Sequence, residues 1–288
     1  MLSYITWTVD PDWFSIGPLT VRWYGLMWAL AFFLGYWVES KIYNREKMTQ
    51  DQLDKLFLYM LIGTVLGARV GHCFFYDPKY YLSNLAEVLC VWKGGLSSHG
   101  GACGIIVSLW LFNKYVAKKT YIWVMDRVVI AVAIGGACIR FGNLMNHEIY
   151  GHATDVPWAF EFIKNIHHWQ MGADPVFSAP SHPTQIYEMI YCLVTFSILM
   201  FLYWRTNARK YEGFLFGVFL IGVFLPRFFL EFIKNSQESF EDDMTLNMGQ
   251  LLSIPLILWG VYMLYKSISQ MRKEGGLQIG KESDTTPK

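Results

Sequence analysis

Phe214-Leu215-Phe216-Gly217-Val218-Phe219-Leu220-Ile221-Gly222-Val223-Phe224-Leu225 is an unbroken apolar run, and it continues to Ile233 interrupted only by Pro226, Arg227 and Glu231. At about 20 residues it is long enough for a helix that crosses the hydrocarbon core of a bilayer. Blocks of the same kind recur at Leu19–Val38, Leu56–Tyr76, Leu96–Tyr115, Ile122–Leu144, Ile186–Tyr203 and Asn247–Tyr265. The chain therefore reads as an all-α membrane protein, a bundle of about seven transmembrane helices. Composition agrees. Of 288 residues, 53% are hydrophobic and only 16% charged, against roughly a quarter charged in soluble domains. A net charge of +1 gives no reason to expect a nucleic-acid partner.

The basic residues orient the bundle. Lys41, Arg45, Lys47 and Lys55 follow the first block, Lys114, Lys118 and Lys119 the third, and Arg205, Arg209 and Lys210 the fifth. Lys266, Arg272 and Lys273 follow the last, while the alternate connections are poor in Lys and Arg. The positive-inside rule then places the N-terminus outside and the C-terminus in the cytoplasm. Residues 1–271 read as one transmembrane domain, within which 146–185, rich in Pro and Trp, forms a small outer cap. The polar tail 272–288 reads as disordered. The segment around Asp10 and Asp12 lacks the basic start of a cleavable signal peptide. Cys73, Cys90, Cys103, Cys138 and Cys192 are scattered, without metal-ligand spacing, and read as inert thiols.

A charge at the centre of a membrane helix costs roughly 2.5–3.5 kcal/mol on insertion scales, so each one needs a partner, a cavity or a substrate. On the expected spans, Arg22, Tyr24, Arg69, His72, His99, Arg140 and Asn143 fall in the outer leaflet. So do Gln185, Glu188, Arg227, Glu231 and Gln250. Asp126 and Arg127 are the exceptions. A conduit would carry polar groups across the midplane, whereas a one-sided cluster suits a site acting on something in the outer leaflet. Arg69, Arg140 and Arg227 offer permanently charged forks that match phosphate oxygens. The plainer alternative is snorkelling, or, for Arg227 with Glu231 four residues on, a structural ion pair. His99, in Gly94-Gly95-Leu96-Ser97-Ser98-His99-Gly100-Gly101, has glycines on both sides that let backbone or substrate approach it closely, and suits a general base, or else a hydrogen-bonded interface histidine.

Together these segments resemble the prolipoprotein diacylglyceryl transferase family. Arg140-Phe141-Gly142-Asn143-Leu144-Met145-Asn146-His147-Glu148-Ile149-Tyr150-Gly151 is similar to that family's signature, with Ile139 and Leu144 where it has Gly and Phe. Trp23-Tyr24-Gly25-Leu26, Gly67-Ala68-Arg69-Val70-Gly71, Phe75-Tyr76 and Ser98-His99-Gly100-Gly101 are similar to further family blocks. So are Asp126, His182-Pro183-Thr184-Gln185-Ile186-Tyr187-Glu188, Arg227-Phe228-Phe229-Leu230-Glu231 and Gly249-Gln250 with Ser253 and Pro255. Val223 stands where the family often has Tyr, and Lys234 where it often has Arg.

The resemblance implies a multi-pass enzyme of the bacterial inner membrane, its site toward the extracytoplasmic side. Its implied partners are phosphatidylglycerol, membrane lipids and a preprolipoprotein signal peptide with a cysteine. The diacylglyceryl group passes to the thiol as a thioether and glycerol phosphate leaves, with no metal and no cofactor. It implies His99, Arg140, Arg227 and Tyr24 as catalytic residues. Arg140, Asn143, Asn146, Glu148, Gly151, Arg69 and Glu231 are implied to bind phosphatidylglycerol, Gly151 by allowing a tight turn. The competing readings are another lipid-active enzyme and a seven-span receptor or transporter. A transporter should show internal repeats and midplane polar residues, and neither is visible.

Overall fold

The structure is a computed structural model that describes residues 4–17, 19–75, 78–90, 95–235 and 244–280. Tyr76, Lys93, Gly94 and residues 281–288, which fall within the expected blocks and tail, lie outside the described residues. The fold is mainly helical. Among the described residues six helices are long and apolar enough to cross a membrane: Gln50–Phe75, His99–Ala117, Tyr121–Met145, Thr184–Arg205, Phe214–Ile233 and Met248–Lys273. This is a multi-pass membrane protein. The first expected span is helix α1, Trp23–Arg45. Its length is comparable, but Trp23, Tyr24, Trp28, Tyr36, Trp37 and Glu39 make it less apolar than the six. Leu19–Arg22, expected to open that span, is instead strand β3, paired with strand β2, Asp12–Ile16. Apolar residues at Leu19 and Val21 suit a strand face as well as a helix start.

The chain divides into two compact units, residues 1–35 with 129–288 and residues 36–128, so that α1 and α6 (Tyr121–Met145) each contribute to both. In the first unit, Gly35 faces Ala131 and Gly135 faces Ala31, so α1 and α6 run close together. Helices α8 (Thr184–Arg205), α9 (Phe214–Leu230) and α10 (Met248–Lys273) complete its apolar part. Residues 146–183 fold around short pairings and one short helix, α7 (Ile166–Gln170). Strand β1 (Ile5–Thr6) lies parallel to β4 (Phe160–Glu161), and Ser181 bridges both Ala153 and Phe160. Phe160, Phe162 and Leu144 form their core, with Trp7 packed against it and donating its indole N–H to the Leu144 carbonyl at 3.1 Å.

His147 ties this region together. Its Nε2 meets the Val9 carbonyl at 2.8 Å and its Nδ1 accepts the Ile163 N–H at 3.1 Å. That pattern suits the neutral ring, and burial lowers its pKa from the ordinary value despite the Val9 carbonyl and Asp10, which favour the charged form. The tail expected to be disordered from 272 begins as ordered chain. Helix α10 runs to Lys273, and Gln278, Ile279 and Gly280 pair with Arg205, Thr206 and Asn207. The backbone of the tail makes these bonds, to the backbone at 205–207 and to the Asn207 carboxamide, so side-chain composition does not reveal the pairing.

The second unit is built on α2 (Gln50–Phe75) and α5 (Ser98–Phe112), with short helices α3 (Pro78–Ser83) and α4 (Leu85–Val88) between them. Gly63, Gly67 and Gly71 on α2 meet Gly100, Gly104 and Ser108 on α5 so closely that backbone lies against backbone. A β-carbon on Gly104 would fall on the Gly63 carbonyl and 2.8 Å from Gly67 Cα. Arg127, an exception to the outer-leaflet pattern, is buried there. It pairs with Glu46 at 3.0 Å and lies over the Trp123 ring at 4.3 Å.

Candidate active site

The first unit gathers its charges where α6 ends and α8 begins, beside the end of α9. The Arg140 side chain, on the last turns of α6, is 19% exposed and pairs with Glu188 on α8. Glu188 also receives the Lys234 ammonium at 3.1 Å, and the same ammonium reaches Glu231 at 3.3 Å. Glu231 in turn pairs with Arg227 at 3.4 Å. The result is a chain of alternating charge, Arg140–Glu188–Lys234–Glu231–Arg227. Its three interior members are buried, with Lys234 and Glu188 side chains each 1% exposed, while the Arg227 side chain is 27% exposed. Buried charges of this kind survive only when each is paired. The two end guanidiniums keep surface available, and neither can lose its proton.

Hydrogen bonds fix this chain from both ends. Arg140 Nη1 donates to Asn143 Oδ1 at 3.1 Å, and Asn143 Nδ2 donates to Glu148 Oε1 at 2.8 Å. Asn146 Nδ2 reaches the same oxygen at 3.1 Å, and Gln185 Nε2 donates to the Glu148 carbonyl at 2.6 Å. At the other end Asn247 Nδ2 donates to Glu231 Oε2 at 3.1 Å, while Asn247 and Gln250 cap α10 reciprocally. Gly249 lies against the Glu231 carboxylate, where a β-carbon would collide. Tyr24 joins the assembly from α1: its ring covers Gly142, and a β-carbon there would sit 2.7 Å from it.

Most of these side chains come from two stretches, 140–151 and 227–234. A family model described as prolipoprotein diacylglyceryl transferase matches residues 11–266, which include both. The chain belongs to that family. Relatives named phosphatidylglycerol–prolipoprotein diacylglyceryl transferase from Chloroherpeton thalassium and Porphyromonas gingivalis are each 43% identical over 272 residues. The alignments cover 94% and 92% of this chain and 97% and 95% of theirs. A relative of the same name from Tolumonas auensis is 39% identical, over 92% of this chain and 98% of its own.

Of the residues that the family resemblance singles out, the first unit holds Tyr24, Arg140, Asn143, Asn146, Glu148, Gly151, Arg227 and Glu231. Gly151 has a different use from the one expected. Its backbone is not in the left-handed region, which is occupied by His147 and Ile149 instead. It lies between the chain at His182 and the chain at Ile233, and a β-carbon would meet His182 Cβ, Thr184 Cγ2 and the Ile233 carbonyl. Its N–H donates to the His182 carbonyl at 2.9 Å. Close approach rather than turning is what excludes a side chain here.

Arg69 and His99 belong to the second unit. Arg69 is 2% exposed and turned to backbone. It donates to the carbonyls of Glu87, Val88 and Gly95 at 2.6, 3.1 and 3.3 Å, and its guanidinium lies 5.0 Å from the Tyr81 ring centre. Three of its five N–H donors go to these carbonyls, so Arg69 braces the segment after α2. His99 is exposed in the first turn of α5, beyond the N-cap residue Ser97, whose hydroxyl accepts the Gly100 N–H at 3.3 Å. Of the two close approaches that glycine allows here, backbone and substrate, Gly100 shows the first: it is pressed against the α2 backbone at Gly67 and Gly71.

Lys234 was legible only as a departure from the family pattern. It emerges as the bridge between the two glutamates. The signal in the sequence was its position three residues after Glu231, a spacing that brings opposite charges together on a helix.

Proposed function

We propose that this protein transfers the diacylglyceryl group of phosphatidylglycerol to the cysteine thiol of a preprolipoprotein signal peptide. The observation that carries this reading is the pair of partly exposed arginines, Arg140 and Arg227, backed by buried carboxylates within the family's matched region. In the reaction the thiolate sulfur attacks the glyceryl carbon that bears the phosphate. A carbon–sulfur bond forms, the carbon–oxygen bond breaks, and the bonding pair leaves with glycerol phosphate. The thiol proton passes to a base, the role assigned to His99. An ordinary thiol is mostly protonated near neutral pH, so such a base is needed. Arg140 and Arg227 offset the charge growing on the departing phosphate oxygen. Glu188, Lys234, Glu231 and Asn143 hold them in place. Tyr24, against Gly142, borders the Arg140 end and is assigned a hydrogen bond to the headgroup.

The proposal includes seven spans in the bacterial inner membrane, the N-terminus outside and the site toward the extracytoplasmic face. The distribution of Lys and Arg supports that orientation.

Proteoliposomes with diacyl-labelled phosphatidylglycerol and a cysteine-bearing signal peptide test the reading. Label should pass to the peptide and not to its Cys→Ala counterpart. Release of labelled diacylglycerol without transfer would instead identify a lipase. His99→Gln should abolish thioether formation while phosphatidylglycerol binding persists, and full activity in that variant would remove His99 as the base.

A further inference from the structure

The N-terminal chain is held along residues 5–12. Residues 5–7 bond to the chain at 159–161, Val9 to His147, and Asp10 to Gln170 at 2.9 Å. Beyond Asp12 the chain leaves this support as the β2–β3 hairpin, with Gly17 at its turn in the left-handed region. The pairing register sorts its side chains. Ile16 faces Leu19 and Phe14 faces Val21, while Ser15 faces Thr20. Directly opposed residues share a face and successive pairs alternate. One face is therefore wholly apolar. The other carries the hydroxyls of Ser15 and Thr20, 3.0 Å apart. Ile16 and Leu19 are 68% and 64% exposed, and Phe14 is exposed as well.

A two-stranded hairpin is marginal in water unless its apolar face is covered. We propose that this face lies in the bilayer, at the leaflet boundary beside the Arg140 end of the first unit. The hairpin passes into α1 without a linker: Arg22 ends β3, and Trp23 begins the helix. Trp23 donates its N–H to the Pro11 carbonyl at 3.0 Å, and its ring lies 5.3 Å from Trp13. Arg22 pairs with Asp12 at 3.1 Å at the hairpin's base. Exposed apolar side chains follow directly on α1, at Trp28, Leu30 and Phe33, so the hairpin is next in the chain to a helix with apolar side chains on its surface. Tryptophans at the junction suit the interfacial level. A protein partner fits less well, because the face offers roughly 400 Å², about half of the ~800 Å² per side of a stable protein interface.

The test places a nitroxide at one position at a time, through Ser15→Cys, Ile16→Cys, Leu19→Cys and Thr20→Cys, in full-length protein whose five native cysteines are replaced. The protein is reconstituted in phosphatidylglycerol and phosphatidylethanolamine vesicles. The ratio of oxygen to aqueous nickel-chelate accessibility should be severalfold higher at 16 and 19 than at 15 and 20. Equal, water-like ratios would overturn the proposal. So would labels at 16 and 19 that stay immobilised in both vesicles and detergent, which would mean a protein partner. A second measurement keeps the native cysteines. Trp13 emission, taken as the difference between the protein and Trp13→Phe, should be quenched by lipids brominated near the headgroup, and absence of quenching would also overturn it. Neither readout depends on diacylglyceryl transfer.

Discussion

The α2–α5 pair and the charged end of α6, α8 and α9 solve the same problem by opposite means. Helices in lipid gain little from hiding apolar side chains from one another, so they associate through close packing or polar contacts. The α2–α5 pair takes the first route. Gly63, Gly67, Gly104 and Gly100 remove side chains until backbones touch. The other region takes the second, with five charged side chains in alternation and amides at either end. The first arrangement is spent on packing and carries only His99, exposed in the first turn of α5, as a side chain assigned to chemistry. The second ends on two guanidiniums that keep both charge and surface.

Four measurements would break or sharpen this contrast. Removing a partner from a buried ion pair typically costs about 3–5 kcal/mol. Lys234→Met should lie near the lower end, because each glutamate keeps an arginine, and thermal unfolding in detergent would show it. Arg140→Ala or Arg227→Ala should lower the transfer rate on the order of 100-fold with phosphatidylglycerol as donor. Unchanged turnover in both would detach the charge chain from the reaction. Gly104→Val has no room beside Gly63 and Gly67 and should cost about 1–3 kcal/mol by overpacking, again read from thermal unfolding. A change within error would mean that the two helices adjust freely.

The smallest effect concerns pH. His147 binds its proton more weakly folded than unfolded, because burial disfavours the charged ring. The unfolded chain therefore takes up the proton first as pH falls. The stabilisation is complete above the ordinary histidine value of about 6.5 and declines below it, toward the lower folded value. His147→Gln should flatten that part of the stability–pH profile measured by thermal unfolding. An unchanged profile would assign the dependence to another group.

The apolar helices were legible because a run of about 20 apolar residues matches the thickness of a bilayer core and exceeds what a strand needs. The 140–151 stretch was legible because its Arg, Gly, Asn, Asn, Glu and Gly keep the spacing of the family signature that it resembles. The roles within those stretches were less so. Gly67, Gly71 and Gly100 each looked like a local feature, since close approach depends on which helix lies opposite, and sequence spacing does not state that. Arg69 looked like Arg140 because both are arginines near the end of an apolar run. Only the carbonyls of Glu87, Val88 and Gly95 distinguish them. Leu19 and Val21 fitted a span as well as a strand, so the hairpin was hidden in the expected first helix.

Asn143 has a consequence of its own. Its amide works in one direction, taking a hydrogen from a cation on one side and giving one to an anion on the other. Aspartate matches its outline but would set acceptor against acceptor beside Glu148, and leucine of similar bulk could answer neither neighbour. The carboxamide thus relates the polarity of two sites that do not touch, so that a change of sign at position 148 would be felt at Arg140.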